Sequence, residues 1–178
     1  MSKIYKLKFL YKRTAEDGTI EKAKTEVFAE CVTYAEAEEL AFSLIERDDM
    51  NRIEECDYEI VKTKFNSHDF LDNKTLRYDE KLINGKVEHY FADDNDAFFI
   101  IKVKLITIDE KTGKEHRIPA ACVISDRSMN HAVASIKDYL SRGMMDFIIT
   151  DTKMDAADAI YLSQESHTEV IERYEAKA

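Results

Sequence analysis

Glycine and proline are scarce in this 178-residue chain, which has four glycines and one proline. The glycines stand far apart, so no loop offers several backbone N–H groups to a phosphate ahead of a helix. This spacing excludes a P-loop and a dinucleotide-binding loop. No apolar run approaches the roughly 18 residues that span a membrane, and the first residues lack the apolar core of a signal peptide. We therefore expect a cytoplasmic protein.

Cysteine and histidine are also few, and neither has the spacing of a disulfide framework or a metal-binding motif. The three cysteines are an odd number without Cys-x-x-Cys spacing, which predicts reduced thiols and no disulfide framework. The five histidines contain no His-x-x-x-His pair, and acidic loop residues near His68 are more often solvated than bound to a metal. No Gly-x-Ser-x-Gly motif is present. We expect no metal, no cofactor and no enzymatic activity.

Basic residues are fewer than acidic ones, 26 against 36, which gives a net charge of −10. The deficit is uneven, because residues 98–154 carry nine Lys and Arg against seven Asp and Glu, a net charge of +2. The connector before this segment and the tail after it are each acidic. The distribution of charge therefore says more about binding partners than the total does.

The strongest internal pattern is a repeat. Tyr5–Phe9 and Ile101–Leu105 both alternate apolar residues with lysines, the period of a half-buried strand. Each is followed by a Gly-marked turn, a second strand, a capped amphipathic helix and a third strand. In the first copy, Thr33 and Glu36 have the spacing of a capping box that begins the helix. Two ββαβ repeats are predicted, each too small for a large core of its own.

The repeats predict an α+β fold, with antiparallel-rich sheet or sheets and two helices in one pseudo-symmetric domain. Between them, Asn84-Gly85 separates two short alternating segments and predicts an inserted β-hairpin. We divide the chain into a first repeat, a connector with this hairpin, a second repeat and an acidic tail able to form a helix: residues 1–65, 66–97, 98–161 and 162–178. Whether both repeats share one sheet stays open.

Two segments of the second repeat, 98–114 and 145–153, resemble a known family. Tyr11-Lys-Arg-Thr, Asp17-Gly18 and Tyr34-Ala-Glu-Ala in the first repeat carry the same resemblance. The family consists of uncharacterised proteins of Bacteroidetes bacteria and crAss-like phages, catalogued as a domain of unknown function. The resemblance implies a duplicated α+β domain, no known catalytic residues and a phage or mobile-element origin, hence the cytoplasm of a bacterial host.

The positive signal for function is a set of lysines on the strand positions opposite the predicted core: Lys6, Lys8, Lys22, Lys24, Lys102 and Lys104. A sheet face of this kind can bind single-stranded DNA or RNA through phosphates, with aromatic residues stacking on bases. Phe28, Phe98, Tyr78 and Tyr90 are the aromatic candidates. Our leading hypothesis is therefore a non-enzymatic protein that binds single-stranded nucleic acid.

Two alternatives remain at this point. The lysines can simply solvate an exposed sheet face and discourage edge pairing. The protein can also be an acidic protein-binding or regulatory module that engages a host or virion protein, in one form by imitating nucleic acid. Outward isoleucines on the second repeat further raise the prospect that a second copy covers part of this face, giving a homodimer.

Overall fold

The computed structural model describes residues 2–47, 52–53, 56–72, 75–143 and 145–177, with side chains for all of these except residues 80 and 171–177. The elements in chain order are β1 (Lys3–Thr14), β2 (Ile20–Cys31), α1 (Tyr34–Glu46), β3 (Asp57–Asn66), a 3-10 turn (Ser67–Asp69), β4 (Phe70–Asp72), β5 (Leu76–Ile83), β6 (Lys86–Phe91), β7 (Ala97–Ile108), β8 (Glu115–Asp126), α2 (Met129–Ser141), β9 (Asp146–Asp155), β10 (Ala159–Ser163) and α3 (Gln164–Lys177). The α+β prediction is confirmed, with three helices and two sheets that mix parallel and antiparallel pairs.

The described residues form two compact units. The first lies within Met1–Ser67, Arg77–Tyr90 and Ala157–Ala178, and the second within His68–Leu76 and Phe91–Ala156. The first unit holds a six-stranded sheet in the order β3-β1-β2-β10-β6-β5, and the second a four-stranded sheet in the order β4-β8-β7-β9. None of the described helices is both long and apolar enough to cross a bilayer.

In the first unit, β1 and β2 form the hairpin that the Asp17-Gly18 turn predicts. Gly18 has a φ of 85°, a backbone conformation that favours glycine. The apolar positions of β1 then pack against one stripe of α1, which comprises Ala37, Leu40, Ala41 and Leu44. The helix begins as the capping box predicts, since Thr33 Oγ1 accepts a hydrogen bond from the backbone N–H of Glu36.

The connector contributes the far half of the same sheet. β5 and β6 are joined by Asn84 and Gly85, both at positive φ, so the predicted hairpin is confirmed. β10 lies between this hairpin and the strands β2, β1 and β3, and it pairs in parallel with β2 and antiparallel with β6. Its residues from Ala159 to Leu162 are all buried. A strand buried on both faces has no polar alternation, which is why the repeat pattern did not predict it.

The helix α3 packs on the opposite face of this sheet from α1. His89 of β6 and Ile160 of β10 are cross-strand partners, so their side chains point to the same face of the sheet. The next residue, Tyr161, points to the other face and belongs to the core beneath α1. A hydrogen bond joins His89 to His167 of α3, so α3 lies over the second face. α3 lies within the segment predicted as an acidic tail able to form a helix, and the described chain has three helices with it.

In the second unit, β7 lies at the centre between β8 and β9. The alternating residues Phe99, Ile101 and Val103 form a small core with Ala132 and Ile136 of α2. The three-residue strand β4 pairs with only the end of β8, from Val123 to Ser125. Along the rest of β8, no strand of the described chain pairs with the outer side, and this stretch contains Pro119, which cannot donate to a neighbouring strand.

Candidate functional site

Four of the six predicted lysines lie on one face of the β1–β2 hairpin. The register pairs Lys6 with Phe28 and Lys8 with Glu26, while Lys24 faces Leu10. Lys22 and Lys24 are exposed, whereas Lys6 and Lys8 are half-buried. The face thus carries acidic and apolar residues among its lysines, a mixture that the lysine pattern alone does not reveal.

Glu26 is the residue that changes the electrostatics of this hairpin. Its side chain is only 7% exposed, and its carboxylate oxygens lie 3.9 Å from Lys6 Nζ and 3.7 Å from Lys24 Nζ. A buried carboxylate between two ammonium groups cancels much of the field that a phosphate would meet. Lys6 Nζ also lies 5.2 Å from the centre of the Phe28 ring. These lysines therefore have structural partners of their own.

The other two predicted lysines belong to β7 in the second unit. Lys102 and Lys104 are both exposed, and among the described residues neither takes part in an ion pair. Their cross-strand neighbours include Asp151, opposite Lys102, and Pro119, opposite Lys104. That all six lysines share one surface stays a prediction.

Two of the four predicted base-stacking aromatics are inaccessible, while Tyr78 is exposed and Tyr90 is half-buried. Phe28 and Phe98 are fully buried, so their interpretation as stacking platforms is wrong. Phe98 packs instead against Phe70 and Phe91, with ring centres 6.2 and 4.7 Å apart. Tyr78 is 43% exposed, but its ring contacts two histidines. Base stacking, the usual companion of phosphate contacts on single strands, has little support on these faces.

A different surface exposes aromatic side chains together. One row of α1 alternates aromatic and acidic residues at intervals of four: Tyr34, Glu38, Phe42 and Glu46. Tyr58 of β3 stands beside this row, with its ring 5.2 Å from that of Phe42 and its hydroxyl donating to Glu38 Oε2 at 3.4 Å. We call these five residues the α1–β3 surface.

All three aromatic side chains of this surface are exposed. Tyr34 is 53% exposed, Phe42 44% and Tyr58 38%. Burial, and then the neighbouring Glu38 carboxylate, raises the pKa of Tyr58, so its hydroxyl remains a neutral donor at physiological pH. The sequence patterns described above did not single out Tyr34 and Phe42 of this row. Their four-residue spacing on the polar side of a helix was the available signal.

The neighbouring strand β3 is an outer strand of its sheet. It pairs with β1 on one side, and no strand of the described chain pairs with its other side. Its side chains from Asp57 to Glu59 are exposed, and those at Lys62 and Lys64 are too. Its backbone therefore offers unpaired N–H and C=O groups directly beside the α1–β3 surface.

Two histidines of the first unit form a partly buried titratable pair. His89, only 1% exposed, has its Nε2 2.9 Å from Nδ1 of His167, and the Tyr78 ring packs against both imidazoles. Burial, and to a lesser extent the second histidine, lowers the pKa of His89 to about 4. Burial also lowers the pKa of His167. Two neutral imidazoles sharing one hydrogen bond hold α3 on the sheet at neutral pH.

The remaining groups considered for chemistry are the acidic residues, the cysteines and the His131–Asp126 pair. No group of three or more His, Cys, Asp or Glu residues there is arranged to hold a metal ion. Burial raises the pKa of the Cys31 thiol to about 12 and that of Cys122 to about 11, which disfavours a nucleophilic thiolate. His131 contacts the buried Asp126 at 2.8 Å, and Ser135 also donates to that carboxylate at 3.5 Å. These contacts join the first two turns of α2 to the end of β8.

A comparison with protein-family models finds one that matches residues 3–163, described as Domain of unknown function (DUF4494). The chain belongs to this family. No curated protein and no solved structure matches it.

The DUF4494 match covers both sheets and ends at the last residue of β10. The helix α3 follows it directly, so His167 and the rest of α3 lie outside the matched residues. Every residue of the α1–β3 surface, by contrast, lies inside them. The same is true of all six predicted lysines.

Proposed function

We propose that this DUF4494 protein is a binding protein without enzymatic activity, and that it engages a partner protein through the α1–β3 surface. The observation that carries the proposal is the joint exposure of Tyr34, Phe42 and Tyr58 on the acidic side of α1. Exposed aromatic residues that lie together, surrounded by polar residues, are typical of protein-binding surfaces. Aromatic anchors also supply a large share of binding energy in such interfaces.

The test is quantitative capture from a lysate of the native host. Purified protein is compared with a Tyr34→Ala/Phe42→Ala variant and with a control, Tyr139→Ala, which removes a 51% exposed tyrosine from α2. We expect one protein to be retained by the wild type and the control and to be lost from the double variant. Equal recovery by all three proteins contradicts the proposal. Circular dichroism checks that each variant is folded.

Binding of single-stranded nucleic acid is the second candidate. The observation that favours it is the exposure of Lys102 and Lys104, without ion pairs in the described chain, within a segment of positive net charge. Two phosphate contacts to a single strand predict that affinity falls about sevenfold between 50 and 200 mM salt. The test is a titration of labelled oligothymidine with the wild type, Lys102→Glu/Lys104→Glu and the control Lys22→Glu/Lys24→Glu. Failure to bind at 50 mM salt excludes this candidate.

We also propose that the two ββαβ segments descend from one ancestral segment. In support, β1 is paired with β2 and β3, just as β7 is paired with β8 and β9. An origin in a phage or mobile element rests on the resemblance of segments 98–114 and 145–153 to that family. Three cysteines that are all free support a location in the reducing cytoplasm of a bacterial host.

A further inference from the structure

We propose that the partner contributes an extended, basic segment that adds a strand to the outer side of β3 and lies alongside α1. This inference rests on the proposed function, because it specifies how a protein occupies the α1–β3 surface. Strand addition combines main-chain hydrogen bonds with side-chain contacts at every second residue. The surface offers both kinds of contact within a few residues.

The backbone of β3 is suited to this pairing over part of its length. The pairing of β1 with β3 is regular from Tyr5–Lys62 to Leu10–Asp57, and an irregularity follows between Lys3 and Tyr5. Asp57–Lys62 is therefore a regular stretch with no strand of the described chain on its outer side. Natural proteins usually protect such edges, and an open one is a template for another chain.

The side chains on the α1 side of β3 set the environment of the added strand. Tyr58, Ile60 and Lys62 pair with Phe9, Leu7 and Tyr5, the core residues of β1, so all of them face α1. A strand added beyond β3 directs alternate side chains toward the same side. Those side chains meet Tyr58 and the row that holds Tyr34 and Phe42. Apolar residues at every second position of the partner fit this contact.

The carboxylates of α1 and β3 favour a partner segment that carries positive charge. Glu38 and Glu46 lie in the aromatic row, and the exposed Asp57 and Glu59 lie on the strand. Lysine and arginine side chains at the partner positions that face away from α1 complement Asp57 and Glu59. Glu38 and Glu46 add negative charge on the α1 side. The lysines of β3 stand only at its other end, at Lys62 and Lys64. The basic residues of the partner therefore belong beside Asp57 and Glu59.

The experiment uses the full chain and a phage-displayed library of random peptides of about a dozen residues. We expect enriched peptides in which Lys or Arg alternates with apolar residues. Their affinity, measured by fluorescence anisotropy, falls about thirtyfold in Tyr34→Ala/Phe42→Ala, the effect of losing an aromatic anchor. It does not change in Tyr139→Ala, which serves as the control for an exposed helical tyrosine.

Backbone pairing is tested with two versions of the best peptide, N-methylated at alternate residues. In an added strand, only every second N–H points to β3, so one version loses about tenfold or more and the other binds normally. Equal binding of both versions overturns strand addition, yet leaves the proposed function intact if the aromatic variants still fail to bind. If no peptide prefers the wild type over Tyr34→Ala/Phe42→Ala, the inference is overturned, and the host-lysate comparison decides the proposed function separately.

Discussion

The buried imidazole of His89 predicts a loss of stability in acid that one substitution can isolate. Its pKa falls from an ordinary 6.5 to about 4 because the ring is buried and a second histidine lies beside it. His89 therefore binds a proton less readily in the folded protein than in the unfolded chain. The contribution of His89 is fully present above pH 6.5 and is lost as the pH falls toward 4.

The size of this effect follows from the two pKa values. At pH 5 most unfolded chains carry a proton on His89, whereas about one folded molecule in ten does. The free energy of unfolding then loses about 2 kcal/mol relative to pH 8 through this residue alone. We expect His89→Phe, which cannot take up the proton, to gain about 2 kcal/mol relative to the wild type between pH 8 and pH 5.

The assay is guanidinium unfolding followed by far-UV circular dichroism, because the chain has no tryptophan for fluorescence. Groups that do not contact His89 act on both proteins equally. His167, which hydrogen-bonds to His89, does not, so His167→Phe is measured alongside to separate its share. His116→Phe replaces an exposed histidine of β8 and serves as the control, with a difference that changes by less than about 0.5 kcal/mol. A His89→Phe difference that is the same at both pH values refutes the reasoning, since His89 would then protonate equally well in the folded state.

Three further substitutions test other parts of the fold. Thr33→Ala removes the cap of α1 and should lower the free energy of unfolding by about 1 kcal/mol in the same assay; an unchanged value argues against the capping bond. Burial raises the pKa of Asp72 to about 6, so the stability that Asp72 itself contributes is present below its ordinary pKa and is lost as the pH rises through about 6. Asp72→Asn should abolish this loss and be the more stable protein at pH 8, and the reverse order contradicts the assignment. Tyr161→Phe leaves the Glu88 carboxylate without the hydroxyl that donates to it, so we expect a loss of about 1–2 kcal/mol, and an unaltered unfolding midpoint would count against that bond.

Much of the fold is predictable from local signals in the sequence. The turns at Asp17-Gly18 and Asn84-Gly85 predict their hairpins because a positive φ is needed there, and the Thr33 cap predicts where α1 begins. The strand β10 escaped prediction because burial on both faces removes alternation. Without that strand, the way in which the β5–β6 hairpin joins β2 in one sheet could not be derived.

The candidate site was less predictable for a physical reason. Alternation places a lysine on the face away from the core, but it does not reveal that a carboxylate on the same face, Glu26 of β2, is buried between Lys6 and Lys24. Pairing register decides which charges cancel, and register is a property of the folded sheet. The aromatic row of α1 was visible in the sequence, whereas its position beside Tyr58 and the open side of β3 was not.

Site-specific crosslinking tests the central claim, that the α1–β3 surface holds a partner protein, most directly. Phe42 is replaced by the photoreactive p-benzoylphenylalanine, which keeps an aromatic ring at that position, and Tyr139 is replaced in a matched control. Both proteins are irradiated in lysate of the native host. We predict a single crosslinked protein from position 42 and none from position 139. No crosslinked protein from position 42, or the same proteins from both positions, would contradict the claim.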